Sequence, residues 1–106
     1  AKTIPFQELS APIHYIQVHF AERISIASLA AACNLSVSAL ERRFRKHLDK
    51  TPHQYITEMR LEHSRRLLSN SDKAIGTIAL ETGFSDHSHF TRAFRRHYGI
   101  APSEAR

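Results

Sequence analysis

Two stretches of this chain, about fifty residues apart, carry the same pattern, and an internal repeat constrains the architecture more tightly than composition does. Leu40-Glu41-Arg42-Arg43-Phe44-Arg45-Lys46-His47 returns as Phe90-Thr91-Arg92-Ala93-Phe94-Arg95-Arg96-His97. Ahead of each copy runs a short apolar segment ending in a turn, Leu29-Ala30 to Leu35-Ser36 and then Ile78-Ala79 to Phe84-Ser85. The offset is 50 over residues 40–52 against 90–102, with identities at Arg42/Arg92, Phe44/Phe94, Arg45/Arg95, His47/His97 and Pro52/Pro102. Upstream it is 49, matching Ala30 with Ala79 and Ser36 with Ser85, so the second turn holds one more residue. Each copy takes the form of a helix, a tight turn and a basic helix.

A chain of 106 residues accommodates one domain or two very small ones, and two units of about fifty residues would each be marginal alone. With 42% apolar residues and few Gly or Pro the composition is globular, and no apolar run approaches the ~18 residues that a membrane span requires. No basic leader with an apolar segment behind it opens the sequence, and the single Cys33 has no internal partner for a disulfide. These features favour the reducing cytoplasm, with Cys33 a small packing residue late in a helix.

Charge is informative mainly through its placement. Fifteen Lys and Arg against ten Asp and Glu give a net charge of +5. Eight of the cations fall between Arg42 and Arg66, and three more stand at Arg92, Arg95 and Arg96.

The rest of the chain supports an all-α reading, since no segment alternates with period two. Residues 1–10 read as a lead-in or linker. A helix is expected over about 11–23, packing through Ile13, Tyr15, Ile16, Val18 and Phe20. Ser25 is a suitable N-cap for a helix over about 26–33, and Ser36 and Ser85 for the basic helices at about 36–48 and 85–98. Asn34 and Gly83 occupy matching places where a helix must stop, and these are the residues that best tolerate a left-handed backbone. Pro in a first helical turn costs little, so Thr51-Pro52 should open a helix to about Ser69, a rod of about 26 Å. On that rod Tyr55, Ile56, Met59, Leu67 and Leu68 form the apolar side, with Arg60, Glu62, Arg65 and Arg66 in water. Asp72 is a candidate cap for a further helix at about 74–82. Gly76 inside it costs about 1 kcal/mol relative to Ala, which close packing would explain. Pro102 and Ser103 open a last short helix. The domain organisation is thus a lead-in over 1–10, a first unit over 11–50, a linker helix over 51–70 and a second unit over 71–106.

Helical spacing sorts the basic helices into faces. Leu40, Phe44, His47 and Leu48, and in the second copy Phe90, Phe94, His97 and Tyr98, form the core sides. Ser38, Glu41, Arg42 and Arg45 lie opposite in the first copy, and Ser88, Thr91, Arg92 and Arg95 in the second. A DNA major groove admits such a helix, where Arg grips the N7 and O6 acceptors of guanine and Glu accepts from the amino group of cytosine. A basic amphipathic helix is often merely solvated, but solvation gives no reason to repeat the arrangement. Arg43, Lys46 and Arg96 suit phosphate contact or plain exposure equally well.

These residues resemble the DNA-binding domain of the AraC/XylS family of bacterial transcription regulators over about residues 11–106. The most specific part is Ile78-Ala79, then Gly83-Phe84-Ser85-Asp86-His87-Ser88-His89-Phe90-Thr91-Arg92-Ala93-Phe94-Arg95-Arg96, then Gly99 and Pro102-Ser103. Leu29-Ala30, Ser36, Leu40, Arg42, Phe44 and Pro52 match more loosely. The resemblance implies about seven helices, with two helix-turn-helix units joined by a linker helix and reading successive major-groove segments of double-stranded DNA. It assigns base or near-base contacts to Ser38, Glu41 and Arg42, and to His87, Ser88, Thr91 and Arg92. It also implies an effector or dimerisation domain beyond this chain, and RNA polymerase as a further partner if the regulator is an activator. His87, His89 and the small Ser38 depart from common members and leave the bases read unassigned.

Other chemistries fit less well. His87 and His89 are two apart on a helix, so their imidazoles do not share a face, and no Cys pair completes a zinc set. Ser85-Asp86-His87 holds the residue types of a hydrolytic triad, but neighbouring helical positions diverge. No metal, cofactor, membrane partner or enzymatic role is expected. RNA readers usually display exposed aromatics, whereas here most aromatics lie on core faces. The alternative within DNA binding is a targeting module of a DNA-modifying enzyme.

Overall fold

The computed structural model describes residues 6–106, with side chains from Glu8 onward. The described residues form six α-helices and a short 3-10 helix, with no strand among them. The helices are α1 (Phe6–His19), α2 (Ile26–Ala32), α3 (Val37–Leu48), α4 (Pro52–Asn70), α5 (Ile75–Glu81) and α6 (His87–Tyr98), and the 3-10 turn is Pro102–Glu104. Expectations about residues 1–5 lie outside the described residues.

Two compact units divide the chain. The first takes the residues up to His19 together with Arg23–Ile56, and the second takes Phe20–Glu22 with Thr57–Arg106. In the first, Leu9, Ile16, Leu29, Leu40, Phe44 and Ile56 are buried. The core of the second gathers Leu61, Leu68, Ile78, Ala79, Phe84, Phe90 and Phe94, with Tyr98 and Ala105 packed against it. Its aromatics run in sequence, Phe84 to Phe90 at 5.1 Å, Phe90 to Phe94 at 5.6 Å and Phe94 to Tyr98 at 4.6 Å between ring centroids. Phe90 with Phe94 and Phe94 with Tyr98 are four apart on one face of α6 and meet without long-range help, while Phe84 reaches Phe90 from the turn before the helix.

The helix signals hold at most ends and fail at the starts of α5 and α6. Ser25 and Ser36 cap α2 and α3, accepting from the main-chain N–H of Ser28 and Ala39. Thr51 and Gln54 form a reciprocal capping box at the start of α4: the Thr51 hydroxyl accepts from Gln54 N–H at 3.1 Å, and Thr51 N–H donates to the Gln54 side chain at 2.9 Å. Ser85, expected to cap α6, does not; Asp86 does, accepting from His89 N–H at 2.7 Å. Asp72 does not cap α5, whose N-cap is Ala74 with no side-chain bond.

The first helix differs most from its expectation. It starts at Phe6 rather than near Ala11 and stops at His19, with Pro12 inside it. Leu9 joins Ile16 in the core, whereas Val18 is 57% exposed. Phe20 lies beyond the helix and stacks on His63 at 4.0 Å, so it packs in the second unit. On α4 the sides are also redrawn: Leu61 and Ser64 are buried, and Arg60 is bonded rather than wet. A Cβ on Gly76 would meet nothing within 4 Å, so close packing does not account for that glycine.

Candidate nucleic-acid interface

Each basic helix is aimed by the turn before it. Cys33 and Thr82 end the first helices of the two motifs, and the next residues, Asn34 and Gly83, adopt positive φ of 57° and 96°. The main-chain bonds that follow are equivalent. Asn34 N–H donates to Ala31 and Leu35 N–H to Ala30, at 3.1 and 2.9 Å. Gly83 N–H donates to Leu80 and Phe84 N–H to Ala79, at 3.2 and 3.0 Å. This double closure is the Schellman arrangement, which satisfies the last carbonyls of a helix and reverses the chain. From there the first copy reaches its cap, Ser36, in two steps, while the second needs three to reach Asp86. Ser85 is therefore the additional residue of the second turn, and its hydroxyl lies 3.2 Å from His89 Nδ1.

The helices so launched match in length and ending. α3 and α6 each have 12 residues and close on a left-handed C-cap, Asp49 and Gly99, fifty positions apart. Each turns two aromatic or aliphatic anchors inward, Leu40 with Phe44 and Phe90 with Phe94, all fully buried. The anchored face fixes which residues look out. Ser38, Glu41, Arg42 and Arg45 are exposed on α3, and His87, Ser88, Arg92 and Arg95 on α6, with Thr91 partly so. Among the described residues none of these Arg side chains is held in an ion pair. α6 carries three Arg and no carboxylate, whereas Glu41 sits among the cations of α3.

Arg43, Lys46 and Arg96 separate from one another. Arg96 is exposed, and Lys46 lines a concave patch with Glu8, Ala39, Arg42, Arg43 and Arg45. Arg43 is partly buried, and its Nη1 donates to the Glu8 carbonyl at 3.2 Å. His47 pairs through Nε2 with the Glu8 carboxylate, a bond that, first among several causes, holds that carboxyl below its usual value. Glu8 had no place in the sequence reading. A signal was available: Pro12 has no N–H, which leaves the carbonyl four residues earlier, that of Glu8, without its helical donor.

The geometry, two helix-turn-helix motifs with equivalent polar and Arg-bearing faces, has counterparts in known proteins. Residues 29–106 match a helix-turn-helix domain family. The transcriptional activator RhaS of Escherichia fergusonii is 38% identical over 94 residues, which is 89% of this chain and 34% of that protein. An AraC-type transcriptional regulator from Chromobacterium violaceum superposes with a TM-score of 0.89 at 33% identity, covering 94% of this chain and 89% of that one. This chain belongs to the AraC/XylS family. The DNA-binding domain of AdpA, solved in complex with a target DNA, superposes on this AraC/XylS domain with a TM-score of 0.86 at 28% identity over 92% of it and 87% of AdpA's chain. The chain spans about a third of the length of the curated relatives it matches. No described helix is long and apolar enough to cross a membrane.

Proposed function

We propose that this AraC/XylS domain is the sequence-reading part of a transcription regulator, binding duplex DNA through α3 and α6. The observation that carries the reading is the equivalence of the two outward faces, each built of short polar residues and two Arg and each fixed by a buried aromatic on the opposite side. Burial of Phe44 and Phe94 sets which side of each helix turns outward, so the helix backbone is already in place at the moment of binding and only the outward side chains are left to order.

In this reading Arg42 and Arg92 grip guanine edges, Glu41 accepts from cytosine, and Ser38, Ser88 and Thr91 meet base edges or methyl groups. His87 and the later Arg45 and Arg95 complete the contact faces. Lys46 and Arg96 contact phosphates, which positions the domain without reading sequence. α4, continuous over 19 residues, serves as the linker between the reading motifs. The regulator acts in the cytoplasm, with RNA polymerase as a further partner if it activates.

Selection from a random duplex pool tests the reading. A preferred sequence should emerge, with affinity falling steeply as salt rises. Arg42→Ala and Arg92→Ala should each cost ~1–3 kcal/mol on that sequence and change weak binding far less. Variants that bind every duplex as the parent does would overturn it.

A further inference from the structure

We infer that Glu8, in the first turns of α1, is a positioning residue for α3, fixing that helix's rotation so that Ser38, Glu41 and Arg42 face the bases; this rests on the DNA-reading role proposed above. Two bonds from one residue reach two side chains four apart on α3. The Glu8 carboxylate takes His47 Nε2, and the Glu8 carbonyl takes Arg43 Nη1 at 3.2 Å. The carbonyl is free for this because Pro12 supplies no N–H to it. Residues four apart share a helix flank, so the pair holds that flank at two points.

The second copy closes the same flank differently. Ala93 stands where Arg43 stands in the first, and it packs on the apolar core; His97, opposite His47, is exposed against Tyr98. Apolar burial settles which side of a helix faces inward, and two hydrogen bonds narrow the angle within that limit. The requirement is strict at a base edge. A rotation of about 15° carries a side-chain tip about 6 Å from the helix axis by about 1.5 Å, several times the spread of good hydrogen-bond lengths. Arg42 and Arg45 line the same concavity as Glu8, so the anchor acts beside the reading face itself.

The test measures, for one protein sample, the ratio of affinities for the duplex selected by the parent chain and for duplexes with one base pair changed in either half of the site. Arg42→Ala identifies the half read by α3. Any unfolded fraction cancels from the ratio. In Glu8→Ala the ratio should fall roughly fivefold in the α3 half, the lower end of the effect of one wrong base pair, and stay at the parent value in the other half. Glu8→Gln, which keeps an oxygen acceptor for His47, should restore it. Arg43→Met removes the second bond independently and should reproduce the one-sided loss even if Glu8→Ala does not fold. Parent ratios in both halves for Glu8→Ala, or an equal fall in both, would overturn the positioning role while leaving DNA reading intact. A parent chain with no preferred sequence would overturn both.

Discussion

The Arg60 guanidinium bonds the Phe20 carbonyl through Nε at 2.7 Å and the Glu22 carbonyl through Nη2 at 2.9 Å, fastening the chain between α1 and α2 to the side of α4. Burial lowers the pKa of Arg60 from its ordinary value, but a guanidinium remains charged throughout the working range, so both are charge-assisted bonds. Gly83 sits against this clamp. A Cβ there would lie 2.5 Å from the Phe20 carbonyl oxygen and 2.6 Å from Arg60 Nε, on a backbone with φ of 96°.

Gly83→Ala should therefore cost more than the ~1–2 kcal/mol of a left-handed backbone alone, because a main-chain oxygen cannot swing aside as a side chain can. Gly99 supplies the control. Its φ is 80°, but a Cβ would meet nothing within 4 Å, so Gly99→Ala should show the backbone cost only. Urea unfolding of the two variants gives the comparison; equal losses would mean that the clamp yields freely.

Asp86→Ala should destabilise by about 1 kcal/mol through loss of the α6 cap, and Ser85→Ala by much less. Thermal melts of the pair decide which residue ends the second turn, and the reverse order would contradict the assignment.

Gly76→Ala should stabilise by up to about 1 kcal/mol, since the site is open and glycine carries the larger entropy loss on folding. A destabilised variant would point to a backbone requirement at that position.

Acidification should weaken the second unit below about pH 6.5. Burial, followed by the Arg66 charge, depresses the pKa of His63 from its ordinary 6.5, and the ring is stacked on Phe20. Between the folded and ordinary values the unfolded chain binds the extra proton, so stability is fully present above pH 6.5 and declines as pH falls through the folded pKa. His63→Phe should flatten the dependence of unfolding free energy on pH between 7 and 5. The Glu8 contribution occupies a separate window. Its carboxyl is depressed from 4.5, so that stability is complete above pH 4.5 and is lost on further acidification.

Much of the fold was legible because its determinants are local. Leu40 with Phe44 and Phe90 with Phe94 announce inward faces at a spacing of four, and Asn34 and Gly83 announce turns by backbone chemistry, so the motif geometry follows from neighbours in the chain. Ser85 misled because it matches Ser36 at the upstream offset of 49. The helix obeys the downstream offset of 50, which places Asp86 at the cap. Val18 reads as core by residue type and is exposed, while Phe20, two residues on, finds a partner in His63 more than forty residues away.

The sequence by itself determined the two motifs, their turns and the outward side of each basic helix, because period, capping and left-handed tolerance act within a few residues. Only the tertiary structure decided that Arg60 closes on the Phe20 carbonyl, that Arg43 is taken up by Glu8 rather than left to face phosphate, and that Gly83 meets a main-chain oxygen. Those relationships join residues 35 to 63 positions apart, and their partners are main-chain oxygens, which look the same at every residue and leave no mark in side-chain chemistry.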